Sequence, residues 1–292
     1  MSTGKNIYLA NHRGFCSGVK NAIKLVDKVS TNATSQIYIY HEIVHNKTVV
    51  DSLKERGIIF IDDINNLPAD QILIFSAHGV SPAIREEAKN KNTTIIDATC
   101  KRVQKVHDKV LELVKKGYYI LFIGHRNHEE VIGIFGESPK HIMVIENEDN
   151  LSQIPLDKGK YALLSQTTLN SSQIINMQEK IEKIIPNLFS DYASVCNATS
   201  YRQQAVDEIA EKVDIFYIIG SKNSSNANRL VEIAAKKTVS KLVENFSEIN
   251  ITDIENVDNI GLSSGASTPE ELVLETINFF KSRFVCQLYG KL

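Results

Sequence analysis

Short apolar runs alternate along the whole chain with stretches whose apolar residues recur every three or four positions. The runs at 6–10, 37–40, 72–75, 94–96, 119–123, 161–164, 215–219 and 259–262 have the length and composition of strands. Between them, 19–29, 103–115, 172–185 and 203–213 carry apolar stripes at helical spacing. Strands alternating with helices predict an α/β architecture with mainly parallel sheets.

A weak internal repeat runs through this alternation. Cys16, Cys100 and Cys196 each stand just before a helical stripe: Val19, Ala22, Ile23 and Val26; then Val103, Val106, Val110, Leu113 and Val114; then, starting somewhat later, Ala205, Ile209, Ala210 and Val213. The cysteines are 84 and 96 residues apart, and each interval matches one small α/β unit of about 100 residues. The expected organisation is three units, 18–100, 101–196, and 1–17 joined to 197–292, arranged with pseudo-threefold character around a centre.

Composition narrows the class. The 292 residues are 42% hydrophobic and 23% charged, with a formal charge of −2, as in an ordinary soluble globular protein. No broad basic surface is implied, which argues against nucleic acid as the main partner. An anionic substrate would have to be held by local donors. No apolar run approaches a membrane span, and the strand pattern at 6–10 leaves no room for a leader before Cys16. Four cysteines in so long a chain argue against a disulfide framework and for a reducing, cytoplasmic setting.

A thiol at a helix N-terminus is biased toward the thiolate, the form that iron–sulfur clusters and zinc require. Spacing alone leaves two readings open, three small buried residues near helix starts or one shared site; the repeat favours the shared site. Three thiolates would leave one iron of a cubane cluster open to a substrate oxygen. Cys286, beside no comparable helix start, is read as structural or free.

Several apolar runs end in polar clusters: Ser76-Ala77-His78-Gly79, Gly124 to Glu130, Ser165-Gln166-Thr167-Thr168, Gly220 to Asn226, and Ser263 to Ser267, with His45 after another run. Ligands of open α/β folds bind beyond the carboxyl ends of strands, so these clusters read as the lining of one crevice. Ser, Asn and His donors with helix-start N–H groups suit a phosphate. The chain lacks a P-loop motif. Part of this pattern has a plainer account. Ser81-Pro82 and Thr268-Pro269 read as helix starts, some serines of 221–225 read as caps, and spacing alone favours reading Glu129 and Glu130 as a solvated pair opening a helix, since acidic residues commonly occupy the first turn. Lone histidines such as His41, His107 and His141 are more often surface or core residues than ligands.

Taken together, the segments Arg13 to Val19, His41 to Asn46, Phe75 to Val80, Asp97 to Cys100, Gly124-His125 with His128 and Glu130, and Gln166 to Leu169 resemble the 4-hydroxy-3-methylbut-2-enyl diphosphate reductase family (LytB type). Cys196 with Arg202-Gln203, Gly220 to Asn226, and Gly265 to Ser267 complete the match in family order over almost the whole chain. The resemblance implies a trefoil of three α/β units around one [4Fe–4S] cluster bound by Cys16, Cys100 and Cys196. It implies reductive removal of the allylic hydroxyl as water, giving isopentenyl and dimethylallyl diphosphates. Carried over by position, His45, His78, His128, Ser224, Ser225, Asn226 and Ser267 would hold the diphosphate. Glu130 would supply protons, with Thr167 near the substrate hydroxyl, and a ferredoxin or flavodoxin would supply electrons. Two departures stand out: Lys101 after the second cysteine and Glu129 between His128 and Glu130, where the family usually has proline. The competing readings are a zinc enzyme and a non-catalytic cluster sensor that binds a partner protein.

Overall fold

A computed structural model describes residues 4–190 and 196–291. It contains three sheets, every strand pair of which is parallel. The first has β2 (Ile37–Tyr40), β3 (Ile59–Ile61), β4 (Ile72–Phe75) and β5 (Thr94–Asp97) in the order β3-β2-β4-β5. The second has β6 (Tyr118–Ile123), β7 (Ile142–Ile145), β8 (Lys160–Ser165) and β9 (Phe189–Ser190) in the order β7-β6-β8-β9. The third places β10 (Ile215–Ile219), β11 (Val239–Val243), β12 (Asn259–Ser264), β1 (Lys5–Leu9) and β13 (Cys286–Tyr289) in the order β11-β10-β12-β1-β13. This is the α/β class with mainly parallel sheets that the alternation predicted.

The three sheets share one winding. In each, the first of three successive strands in the chain sits inside, the second lies outside it, and the third crosses to its other flank. The fourth position is taken by β5, β9 and, in the third sheet, by β1 from the beginning of the chain. The weak sequence repeat is therefore a repeat of topology. Helices α1 (Ser17–Asn32), α4 (Lys101–Lys115) and α7 (Asn197–Ala210) follow these fourth-position strands, and each starts directly after a cysteine.

The chain divides into two compact units. One takes the described residues of Met1–Ser17, His45–Asp51 and Asn197–Leu292; the other takes those of Gly18–Val44 and Ser52–Cys196. In the first, Tyr217 and Ile219 of β10 pack with Val273, Ile277 and Phe280 of α10 (Glu270–Lys281). Phe216 and Ile218 point to the opposite face, against Val206 of α7 and Leu230 of α8 (Ser225–Ala234). Every residue of β10 is buried, as a strand covered by helices on both faces requires. In the second unit, Ile120 and Phe122 of β6 face Val106 and Val110 of α4, whereas Leu121 and Ile123 face Ile174 and Ile181 of α6 (Ser171–Ile184). The same unit holds α3 (Pro82–Asn90) and α5 (Glu129–Phe135).

The sequence reading missed β3, β7, β9, β11 and β13, all edge strands of their sheets. In β11 only Val243 is buried and polar residues break the run; β3 and β7, by contrast, are short apolar runs that the sequence reading passed over. Ser81 caps α3 ahead of Pro82, as expected. Thr268 does not cap α10: its hydroxyl donates instead to Ile219 O at 3.0 Å, and Pro269 occupies the cap position. Helix α7 starts at Asn197, well before its apolar stripe, because Thr199 and Arg202 bury polar groups in its first turns.

Candidate active site

In each sheet the chain leaves the first and third strands toward opposite flanks, and the ends of such neighbouring strands form the natural binding crevice of an open parallel sheet. The polar clusters singled out in the sequence follow these strands: β2 and β4, β6 and β8, β10 and β12. Fourth-position strands lead instead to the cysteines.

The second unit brings together His78, His128, Glu129, Glu130 and Thr167. His78 lies on the loop after β4, in a turn where Gly79 has φ +78°. A Cβ at position 79 would lie 2.9 Å from His107 Nε2 and 3.2 Å from Thr99 Cγ2, so only glycine fits both the backbone and the space. His128 caps α5, its Nδ1 accepting the Glu130 N–H at 3.2 Å. The His78 and His128 rings meet edge to face, with centroids 5.8 Å apart. Glu129 Oε2 lies 2.6 Å from His78 Nδ1.

Glu130 does not form a solvated pair with Glu129: it is 2% exposed. Its Oε1 accepts the Thr167 N–H and its Oε2 the Thr167 hydroxyl, both at 2.8 Å. Burial raises the carboxyl above the ordinary range; the two Thr167 bonds and the charge of His107 pull the other way without cancelling it. Gln166, fully buried, accepts the His125 N–H at 3.0 Å and donates to Thr168 Oγ1 at 2.9 Å, fixing the two loops together.

The first unit gathers His45, Ser221, Ser224, Asn226 and Ser267. Ser224 caps α8, accepting the Ala227 N–H, and Ser225 opens that helix. Ser267 donates its hydroxyl proton to His45 O at 2.8 Å, and Ser221 Oγ accepts the Lys47 N–H at 2.8 Å. Asn226 is the most informative. Its Oδ1 accepts the Ala266 N–H at 2.9 Å, which orients the amide and leaves Nδ2 buried without a partner. A buried donor left unpaired is costly, and its natural complement is an acceptor-rich ligand. Gly220 makes this close packing possible, since a Cβ there would lie 2.7 Å from that of Ala227.

All four cysteines are half-buried. The Cys16 N–H donates to Ala266 O and the Cys100 N–H to Ala77 O, each at 3.0 Å, so the backbone of each is tied to the loop after β12 or β4 of its own unit. Cys100 is the cap residue of α4, yet its side chain makes no capping bond. The turn before it is set by Asp97, which receives the Thr99 N–H at 2.9 Å and the Arg85 guanidinium at 2.6 Å. Burial alone would raise the Asp97 carboxyl, but these bonds outweigh it and hold the group below its ordinary range. Arg202 donates to Gly14 O at 2.7 Å and Ala198 O at 2.8 Å, joining the chain before Cys16 to the first turn of α7. Three thiols at helix starts, each after an equivalent strand, are the donor set an iron–sulfur cluster takes. Cys286 differs: it lies in edge strand β13 and donates to Phe284 O at 3.5 Å.

Residues 7–281 match the family described as LytB protein. The chain belongs to the LytB family. The 4-hydroxy-3-methylbut-2-enyl diphosphate reductase of Ehrlichia ruminantium (strain Gardel) is 40% identical over 286 residues, covering 97% of this chain and 87% of that one. The enzyme of that name from Actinobacillus succinogenes is 41% identical over 281 residues, with 94% and 90% covered. Among solved structures, the E-1-hydroxy-2-methyl-but-2-enyl-4-diphosphate reductase of Plasmodium falciparum matches with a TM-score of 0.93 at 37% identity. It covers 99% of this chain and 92% of the other. A second, described as (E)-4-hydroxy-3-methyl-but-2-enyl diphosphate reductase, the terminal enzyme of the non-mevalonate pathway, matches at 0.71 and 30%, with 97% and 100% covered.

Within this LytB chain, sequence reasoning did not find the partners of its site residues. His107, set aside as a lone histidine, is buried against Glu137 at 2.6 Å and supports the Gly79 turn. His41 lies beside Asp62 and His141 is exposed near Ser138. The pairings of His107 with Glu137 and His78 with Glu129 join residues 30 and 51 positions apart, separations that no local pattern signals.

Proposed function

We propose that the chain carries out the reaction for which its relatives are named: it is a 4-hydroxy-3-methylbut-2-enyl diphosphate reductase, the terminal enzyme of the non-mevalonate pathway. The observation that carries this reading is the Asn226 amide, oriented by Ala266 with its N–H2 group buried and unpartnered beyond the end of β10. That donor suits a diphosphate oxygen, and His45, His78, His128, Ser224, Ser225 and Ser267 supply the remaining contacts.

The residues Cys16, Cys100 and Cys196 would hold one [4Fe–4S] cluster, and the proposed division is into units 18–100, 101–196 and 1–17 with 197–292, one cysteine to each; the shared winding supports it. When bound, the cluster would relay two electrons, one at a time, from the external donor to the substrate. The substrate's C–O bond breaks as those two electrons and two protons arrive, releasing water and leaving the isopentenyl or dimethylallyl diphosphate. Glu130 holds a proton because burial disfavours its charged form. A protonated Glu130 donates to Thr167 Oγ, which frees the Thr167 proton for the leaving hydroxyl. The diphosphate contacts fix the allylic end relative to that pair. Electrons would come from a ferredoxin or flavodoxin, and the cytoplasm is the proposed compartment; among the described residues no helix is long and apolar enough to cross a membrane.

The test is turnover of 4-hydroxy-3-methylbut-2-enyl diphosphate by anaerobically purified protein, with Asn226→Asp in parallel. The variant keeps the acceptor for Ala266 but replaces the donor with a negative charge. Loss of diphosphate affinity by about 100-fold is expected, since it removes a charge-assisted bond and adds repulsion. Substrate binding of wild-type strength in Asn226→Asp would refute the reading.

A further inference from the structure

His78 and Glu129 approach each other from two different sheets of the second unit, one on the loop after β4 and the other at the start of α5. The ring Nδ1 and Glu129 Oε2 are 2.6 Å apart, and the side chains are only 14% and 19% exposed. A carboxylate oxygen this close to the ring nitrogen favours a protonated Nδ1 over a bare one. Ser76 Oγ lies 3.3 Å from the same nitrogen. The ring proton thus has two oxygens near it, and the contact with Glu129 falls short of a straight hydrogen bond. The carboxylate therefore acts on the ring chiefly through its charge.

A diphosphate oxygen at neutral pH accepts hydrogen bonds and donates none. With Nδ1 turned to Glu129 and Ser76, His78 can donate to such an oxygen only through Nε2–H, and that requires both ring nitrogens to be protonated. A carboxylate at salt-bridge distance favours this charged form. Titratable groups of this unit near His78 include His128, edge-on at 5.8 Å, and His107, whose Nε2 lies against the Gly79 turn. Positive charge on either would oppose the imidazolium; Glu137 is engaged by His107 at 2.6 Å, and Glu130 feels His107 but directs its carboxyl to Thr167. Glu129 is the carboxylate whose oxygen reaches the His78 ring.

We propose that Glu129 is a positioning residue for diphosphate binding, keeping His78 an imidazolium that can donate to the acceptor-only ligand. The inference rests on the assignment of His78 to the diphosphate made above. It gives Glu129 a role separate from that of Glu130, which faces Thr167 instead.

The experiment is calorimetric titration of inorganic diphosphate into anaerobic holoenzyme, in two buffers of different ionisation enthalpy, for wild type, Glu129→Gln and His78→Gln. The isosteric Glu129→Gln change should weaken inorganic diphosphate roughly tenfold, the difference between a charged and a neutral donor. It should also take up more protons on binding than the wild type does, because His78 must then gain its second proton with the ligand. KM for the substrate should rise by a similar factor, with kcat and the visible spectrum unchanged. Weaker binding without added proton uptake would mean a merely structural role and would overturn the inference. So would unaltered binding in Glu129→Gln alongside weakened binding in His78→Gln, which would leave the His78 assignment standing. Wild-type binding in His78→Gln would remove that assignment and the inference with it.

Discussion

At the scale of single residues, Glu130 shows how burial turns an ordinary carboxyl into an acid. Its two oxygens are occupied by Thr167, and no water reaches it to stabilise a charge. Glutamine can keep both contacts, accepting from the Thr167 N–H and donating to its hydroxyl, but it has no proton to give. Glu130→Gln should retain its iron while losing turnover by at least about 100-fold, the usual range for a missing general acid; full turnover would remove Glu130 from the mechanism. The same substitution has a signature in stability. A carboxyl whose pKa is raised on folding binds its proton more tightly in the native state. Its contribution to stability therefore falls as pH rises from the unfolded value through the raised native one. Thermal unfolding should show Glu130→Gln gaining on the wild type as pH is raised across that window, and a constant difference would mean that the carboxyl is not perturbed.

At the scale of elements, the site depends on how strand ends meet helices. The turn after β4 is wedged between the start of α4, where Val103 and His107 of the helix and Thr99 of the preceding turn surround its approach, and α5, where a Cβ on Gly133 would touch the Gly79 backbone at 3.4 Å. Positive φ and lack of space act together at Gly79. Gly79→Ala should cost at least about 2 kcal/mol in denaturant unfolding. It should also raise KM more than it lowers kcat, because His78 moves while Glu130 and Thr167, held by other loops, do not. The apolar runs at β2, β4, β6, β8, β10 and β12 were readable because these strands sit inside their sheets or beside the innermost strand. Among the edge strands β5 was read and the others were not; in β11 and β13 polar residues interrupt the run, as a strand with one open flank allows.

At the scale of the whole molecule, one winding used three times delivers one cysteine per sheet, and the assignment of Cys286 outside the set can be checked directly. Wild-type protein prepared without oxygen should hold about four iron and four sulfide per chain. Cys16→Ser, Cys100→Ser and Cys196→Ser should each lower that content sharply, whereas Cys286→Ser, altered only in an edge strand, should not. Equal loss from Cys286→Ser would break the proposed ligand set. Removing the cluster with a chelator should abolish turnover while leaving the far-ultraviolet signature of the α/β fold, because each sheet has its own apolar core.

The sequence by itself determined the α/β class, the repeat marked by Cys16, Cys100 and Cys196, and the polar clusters at strand ends. These are local properties: periodicity follows from the geometry of a helix or strand, and a cap or a polar turn is written in adjacent residues. The tertiary structure alone decided which side chains face each other and in what state. Nothing in the order of residues says that Glu130 is buried on Thr167, that Glu129 turns to His78, or that Ala266 claims the oxygen of Asn226 and leaves its nitrogen unpaired. Those facts depend on strand order and helix docking, which bring together residues tens of positions apart. Burial and close pairing, rather than residue type, then set the charge and hydrogen-bonding capacity on which the chemistry rests.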